Sequence, residues 1–140
     1  IICSSFHDDA AIVSGAFNGL AVEFAIAIGE LLDETSVRVA HTVTNHWIDI
    51  GGDNAVGESY VVAFRGTQGD SPQDVMTGGR YIDRYERRCG EWKISHRTFV
   101  MDWTTSANSK DLMGLGMFEE MVTGERGKGD PVYTFWQAAG

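Results

Sequence analysis

The chain has little of what metal sites and membrane spans require. Its two cysteines, Cys3 and Cys89, belong to no CxxC or Cys/His cluster, so we expect no structural metal site. Cysteines this sparse suit the reducing cytoplasm, where we expect the protein to reside, although the two could still pair. No apolar run approaches the roughly 18 residues that span a bilayer, so we expect no membrane partner.

Basic residues and cofactor-binding motifs are scarce as well. The 11 lysines and arginines stand against 20 aspartates and glutamates, which gives a net charge of −9. A phosphate backbone would repel a chain this acidic, so nucleic acid is a poor candidate partner. Because the sequence also lacks GxxxxGK, a GxGxxG after a strand and HExxH, we expect no cofactor.

We expect residues 1–140 to form a single domain, because no repeat, low-complexity tract or linker divides the sequence. This length is sufficient to bury a core. An apolar content of 43% with 11% aromatic residues is typical of a folded protein. The N-terminus, which begins at Ile1, shows no basic region followed by a hydrophobic core and a cleavage site.

Long runs of β-branched and aromatic residues predict strands. Val37–Ile50 and Ala55–Arg65 are two such runs, separated by a turn, and Ala10–Phe17 is a shorter strand or strand pair. Gly79–Trp103 contains two more strands, joined at Cys89-Gly90, where the glycine supplies the positive φ of a tight hairpin.

Two segments predict helices. Leu20–Leu32 carries apolar residues at three- and four-residue spacing, and Leu112–Met121 could form a short helix. One helix with several long strands is an α+β pattern. Strands of this length must twist and coil, so we expect a curved sheet whose concave face a helix covers.

His41, within VRVAHTVTNHWIDI, is the first candidate functional residue, since histidine titrates near neutral pH. From the residues alone, a core histidine with one structural hydrogen bond is the favoured interpretation. Strand alternation predicts that His46 lies on the opposite face, while His41 shares its own face with a set of neighbours, namely Val39, Val43, Asn45 and Trp47.

Arg97 is the second candidate, and alternation places the adjacent His96 on the other face, in a structural or interface role. The alternative for Arg97 is a surface arginine paired with an acidic residue. Asp83 and Asp102 are best explained as salt-bridge partners.

Four ordered segments of the chain together resemble a known family: AHTVTN, GGDNAVGESY, GRYIDRYERR and GEWKISHRTFVMDW. They cover nearly the whole chain and are similar to the SnoaL-like branch of the nuclear transport factor 2-like superfamily, in particular to scytalone dehydratases and hexachlorocyclohexane dehydrochlorinases. The resemblance implies a cone, in which a strongly curved antiparallel sheet wraps around a pocket and N-terminal helices cover it.

The resemblance also implies roles for the two candidates. His41 matches the catalytic base of these lyases, and Arg97 matches a pocket arginine that stabilises a leaving group or oxyanion. In the family an aspartate on an N-terminal helix orients the base. That helix would precede the segment Phe6–Ala10, so we expect this chain to lack it.

These implications predict a cofactor-independent lyase of the dehydratase or dehydrohalogenase type, with isomerisation as a related outcome. We expect a small apolar cyclic or aromatic substrate, contacted by four further residues, namely Val43, Asn45, Tyr81 and Met113. The alternatives are a non-catalytic small-molecule binder of the same fold and a structural subunit like the β subunit of ring-hydroxylating dioxygenases.

We also expect a homo-oligomer, with a trimer ahead of a dimer. Alternation puts several apolar side chains on the outer face of the sheet, which is too apolar to remain one exposed patch: Ile48, Ile50, Val62 and Ile82. The related dehydratases and dehydrochlorinases bury that face as trimers, and other cone-shaped relatives pair as dimers.

Overall fold

Six strands make up most of the chain in the computed structural model, which describes residues 2–125 and 127–138. The strands are β1 (Phe6–Val13), β2 (Asn18–Leu20), β3 (Ser36–Gly51), β4 (Asn54–Thr67), β5 (Gln73–Arg88) and β6 (Glu91–Asn108). They form one curved, open sheet in the order β2-β1-β6-β5-β4-β3. All neighbours run antiparallel except β1 and β6, which run parallel. The predicted α+β class with a strongly curved sheet is confirmed.

Two α-helices accompany the sheet, α1 (Ala21–Thr35) and α2 (Pro131–Ala138). The prediction of a helix at Leu112–Met121 is wrong: the segment contains a single 3-10 turn, Gly116–Phe118. Glycine is a poor helix former, and Gly116 adopts a positive φ of 56°, which ends any α-helix there. No helix in the described part of the chain is long and apolar enough to cross a membrane.

The contacts within the chain divide it into two units, Ile1–Ser109 and Lys110–Gly140. The first unit holds the whole sheet and α1, and the second holds the 3-10 turn and α2. The expectation that residues 1–140 form one domain stays a prediction.

The hairpin predicted within Gly79–Trp103 is confirmed, with Cys89 and Gly90 at its tip. Both residues have positive φ, 52° and 87°, as a type I′ turn requires, so the cysteine as well as the glycine supplies the turn geometry. Cys89 is a free, exposed thiol.

Helix α1 defines the inner face of the sheet. Its residues Ile28 and Leu32 line a cavity together with His41 of β3, Ala63 of β4 and Thr77 of β5. His41 pairs with Ala63, and Ala63 with Thr77, so these three side chains lie on one side of the sheet.

A β-bulge in β3 changes which residues reach this inner face. Val43 pairs with Val61 and His46 with Ser59, so three positions of β3 span two of β4. The extra residue moves His46 onto the inner face with His41, and it moves Trp47 to the outer face. The predicted alternation is therefore wrong beyond Val43.

The apolar patch expected on the outer face is also changed by this bulge. Ile48 pairs with Gly57 and Ile50 with Ala55, and both of these β4 residues lie on the inner face. Of the four expected outer residues, only Val62 and Ile82 remain there. Because two of the four residues lie on the inner face, the outer apolar patch gives less support to a homo-oligomer than expected.

The buried core lies where β1, β6 and α1 meet. Its members are small or apolar: Phe6, Ala10, Ile12, Ala21 and Ile94, with Phe24 and Tyr85 packed against them. This core anchors one end of the inner face and leaves the β3 side open.

Candidate functional site

His41 lies at the open end of the inner face, in a cavity of about 240 Å³ between α1 and the sheet. The other lining residues are largely aliphatic: Ile28, Leu32, Val39, Ala63, Phe64, Arg65, Val75 and Thr77. The imidazole is exposed and makes no hydrogen bond to any residue that the structure describes. It is therefore accessible, and only the backbone of β3 positions it.

Arg97 lies on the same face at the other end, held by Asp83. Its Nε and terminal nitrogen donate to the two carboxylate oxygens of Asp83 at 2.8 and 2.6 Å. Asp83 is only 2% exposed, so this is a buried, bidentate ion pair. Burial acts to lower the pKa of Arg97, but the hydrogen bonds and charge of Asp83 outweigh it and raise that pKa. The guanidinium is therefore firmly cationic.

Aromatic rings complete the surroundings of Arg97. The guanidinium carbon lies 4.0 Å from the Tyr81 ring centre and 5.4 Å from that of Phe6. Such stacking favours the cation. Burial is the main reason that the pKa of Tyr81 is raised. Arg97 thus occupies a partly dry, aromatic setting in which a negative charge would be strongly stabilised.

A hydrogen-bonded chain continues from Asp83 along the inner face. The Tyr85 hydroxyl donates to Oδ2 of Asp83 at 3.1 Å, and the Tyr85 oxygen lies 3.2 Å from Nε2 of His46. Burial, followed by the negative charge of Asp83, raises the pKa of Tyr85 to about 12. We call the four residues Arg97, Asp83, Tyr85 and His46 the polar chain.

Gly57 makes room for the contact between His46 and Tyr85. A Cβ on Gly57 would lie 2.9 Å from the Trp47 carbonyl oxygen, 3.1 Å from the Tyr85 ring and 3.3 Å from Nε2 of His46. Two side chains that are not directly paired can meet only because this position carries none.

The structure places the predicted site residues in different settings. Val43 and Tyr81 lie on the inner face, and Asn45 lies in the bulge, where it accepts a hydrogen bond from Thr44. Met113 belongs to the second unit. Their roles in binding stay predictions.

His41 and Arg97 share the inner face but not one cavity, since Arg97 is not among the residues lining the cavity at His41. Ala63, the β4 partner of His41, lies six residues along β4 from Gly57, whose row contains Asp83 and Arg97. The inner-face position of His46 could not be predicted from the sequence, because neither composition nor alternation reveals a bulge.

The expectations for the neighbouring polar residues are confirmed. Asp83 pairs with Arg97, and Asp102 pairs with Arg80 on the outer face at 3.2 Å. His96, next to Arg97, points the other way and contacts the Thr98 hydroxyl at 3.1 Å.

A second, larger open cavity, of about 380 Å³, is lined by outer-face residues such as Asp49, Val56 and Arg84 and also by Tyr85 of the polar chain. Within the described ranges, no three His, Cys, Asp or Glu residues are grouped so that they could hold a metal ion.

Comparisons with known proteins agree with this fold. The model of the SnoaL-like domain matches residues 2–98. No curated protein matches the chain. A putative scytalone dehydratase from Novosphingobium aromaticivorans is 20% identical, with 76% of this chain and 72% of that chain covered and a TM-score of 0.63.

Two other solved structures are similar at the same level. A hexachlorocyclohexane dehydrochlorinase from Novosphingobium barchaimii is 20% identical over 74% of this chain and 73% of that chain, with a TM-score of 0.66. A protein from Kribbella flavida is 17% identical over 74% and 76%, with a TM-score of 0.64. The chain belongs to the SnoaL-like family.

Proposed function

We propose that the protein is a cofactor-independent lyase in which His41 is the general base. The observation that carries the proposal is the imidazole itself, which is exposed in an aliphatic cavity and not engaged by any described residue. A base must reach the proton it removes, and a histidine already bonded on both nitrogens cannot.

The reaction is an elimination. A ring nitrogen of His41 takes a proton from a substrate carbon, the C–H electron pair becomes the new double bond, and the leaving group departs with its own bonding pair. Arg97 does not act directly on this charge, because its row of the sheet lies six β4 residues from the row of His41 and its guanidinium already binds Asp83.

The side chains that line the site favour a small cyclic or aromatic substrate. Ile28, Leu32 and Val39 supply aliphatic surface around His41, and Tyr81 and Phe99 form a ring pair further along the inner face, with centroids 5.8 Å apart. Cavities of this composition bind apolar rings. Two of the similar solved structures carry names of lyases, a dehydratase and a dehydrochlorinase, which gives the proposal further support.

His41→Gln tests the role of the base. We would screen small cyclic compounds that carry a hydroxyl or halide next to an acidified C–H, and follow the new double bond by its ultraviolet absorbance. His41→Gln should lower kcat roughly 10²–10⁴-fold. The free energy of unfolding should change by less than about 0.5 kcal/mol, because the side chain is exposed and makes no described hydrogen bond.

His96→Gln is the matched control, since His96 lies on the outer face. It should keep wild-type turnover of the compound that is found. Near-wild-type kcat in His41→Gln would reject His41 as the base.

A non-catalytic small-molecule binder is the second candidate. The observation in its favour is that no carboxylate among the described residues contacts His41, so an orienting acid is not seen. Deuterium oxide separates the two: a lyase that removes a proton reversibly introduces deuterium into the bound compound, which mass spectrometry detects, and a binder does not.

A further inference from the structure

The hydrogen bonds of the polar chain have a fixed direction. Arg97 donates one hydrogen from Nε and one from a terminal nitrogen to Asp83, so the carboxylate acts only as an acceptor. Tyr85 has a single hydroxyl hydrogen, and it points to Asp83. The Tyr85 oxygen must therefore accept from His46, and the hydrogen in that contact belongs to Nε2 of His46.

This direction fixes the tautomer of His46. A neutral imidazole carries one hydrogen, so a hydrogen on Nε2 leaves Nδ1 as a lone-pair acceptor. The pKa of Tyr85, raised to about 12 by burial and then by Asp83, keeps the phenol protonated at neutral pH and preserves this order.

The free acceptor lies on the face where a ligand would bind. His46 is exposed, shares the inner face with His41 and makes no further hydrogen bond to the described residues. Ala63 and Ser59, the β4 partners of the two histidines, are four residues apart, which is about 13 Å along the strand at roughly 3.3 Å per residue. Both cannot act on one C–H bond, but both can contact one small molecule.

We propose that His46 is a substrate-binding residue whose Nδ1 accepts a hydrogen bond from an O–H or N–H group of the substrate, at the end remote from the C–H that faces His41. The inference rests on the proposed function for the identity of the bound molecule. Tyr85, Asp83 and Arg97 are positioning residues, which hold the hydrogen on Nε2 and leave Nδ1 unprotonated.

Two matched probes test this acceptor without any turnover. 4-Fluorophenol carries an O–H donor, and 4-fluoroanisole is the same ring with the donor methylated; fluorine NMR gives the Kd of each for the full chain. The wild type should bind the phenol about tenfold more tightly, as one hydrogen bond provides. His46→Leu should abolish that preference, Tyr85→Phe should reduce it, and the outer-face variant His96→Leu should keep it.

Nitrogen NMR of the imidazole rings provides the second readout. His46 should show the Nε2–H tautomer in the wild type and a mixture of tautomers in Tyr85→Phe, which a merely structural role of Tyr85 would not produce. An Nδ1–H tautomer in the wild type, equal Kd values for the two probes, binding of neither probe, or an unchanged preference in His46→Leu would each overturn the inference.

The failures of the two proposals differ. If His41→Gln keeps full turnover but the phenol preference depends on His46, the assignment of the base falls and the acceptor stands. If His41→Gln abolishes turnover while His46→Leu changes nothing, the acceptor falls and the lyase stands.

Discussion

His41 and His46, toward the two ends of the inner face, are held in place in opposite ways. At one end His41 lies in an aliphatic cavity and is held by its strand alone. At the other end His46 is tied through Tyr85 to the buried ion pair of Asp83 and Arg97. An unpartnered side chain stays accessible and adaptable, whereas a partnered one gains a defined tautomer and direction. The cost of the second solution is a buried charge that depends on its partner.

Arg97→Met should give the largest loss of stability, because it removes the cation of the buried ion pair. Asp83 is 2% exposed and would be left as a buried carboxylate without its cation. Removal of one partner of a buried pair typically costs about 3–5 kcal/mol. We expect a loss of this size in the free energy of unfolding, measured by urea denaturation.

Arg80→Met is the matched control on the outer face. Arg80 pairs with Asp102 and Glu58, whose side chains are 37% and 36% exposed, so water can solvate the partners that remain. Its loss should be much smaller than that of Arg97→Met, because exposed ion pairs contribute little to stability. Equal losses in the two variants would remove the energetic distinction between the buried pair and an exposed one.

Gly57→Ala should disturb His46 and leave His41 unchanged, because the added methyl group lies at the contact between His46 and Tyr85. The new Cβ would meet the Trp47 carbonyl, which belongs to the backbone and cannot move away, and would press on the contact between His46 and Tyr85. We expect a loss of about 1–3 kcal/mol in the free energy of unfolding. Gly51→Ala, where nothing lies within 4 Å, should cost less. The imidazole NMR of Gly57→Ala should also report a changed tautomer at His46 and an unchanged His41.

Alkaline pH should weaken the polar chain through Tyr85. The folded protein binds the phenolic proton more tightly, because the pKa is about 12 instead of the usual value near 10. The stabilisation from Tyr85 is therefore complete below about pH 10 and is lost as pH rises toward 12. We expect a decline of about 1 kcal/mol, smaller than the full linkage value because the ring is only partly buried.

Tyr85→Phe provides the comparison for this titration. Thermal unfolding of the wild type and of Tyr85→Phe between pH 9 and pH 11.5 should show a stability difference that shrinks with rising pH. A difference that stays constant over this range would contradict the assignment of Tyr85 as the protonated link in the chain.

Local sequence signals predicted the elements of the sheet. β-branched and aromatic residues defined Val37–Ile50 and Gly79–Trp103, which the structure extends to β3, β5 and β6. The turn at Cys89-Gly90 and the ion pairs of Asp83 and Asp102 were also predicted, since they depend on residue type and close neighbours.

The site could be predicted only in part. The assignment of His41 to a functional role came from a resemblance of short segments, and its position on the helix-facing side came from the sheet register. The location of Asn45 and Trp47 was wrong, because one inserted residue reverses every side chain beyond it in a strand with a period of two.

By itself the sequence determined the α+β class, the strand content and the acidic surface charge, because each depends on composition and on patterns within one segment. Only the tertiary structure decided that His46 joins the inner face and meets Tyr85 over Gly57. Those contacts join residues 39 positions apart, and they depend on the pairing register of three strands and on one bulge. Register is fixed by packing across the whole sheet, so no single strand carries the information.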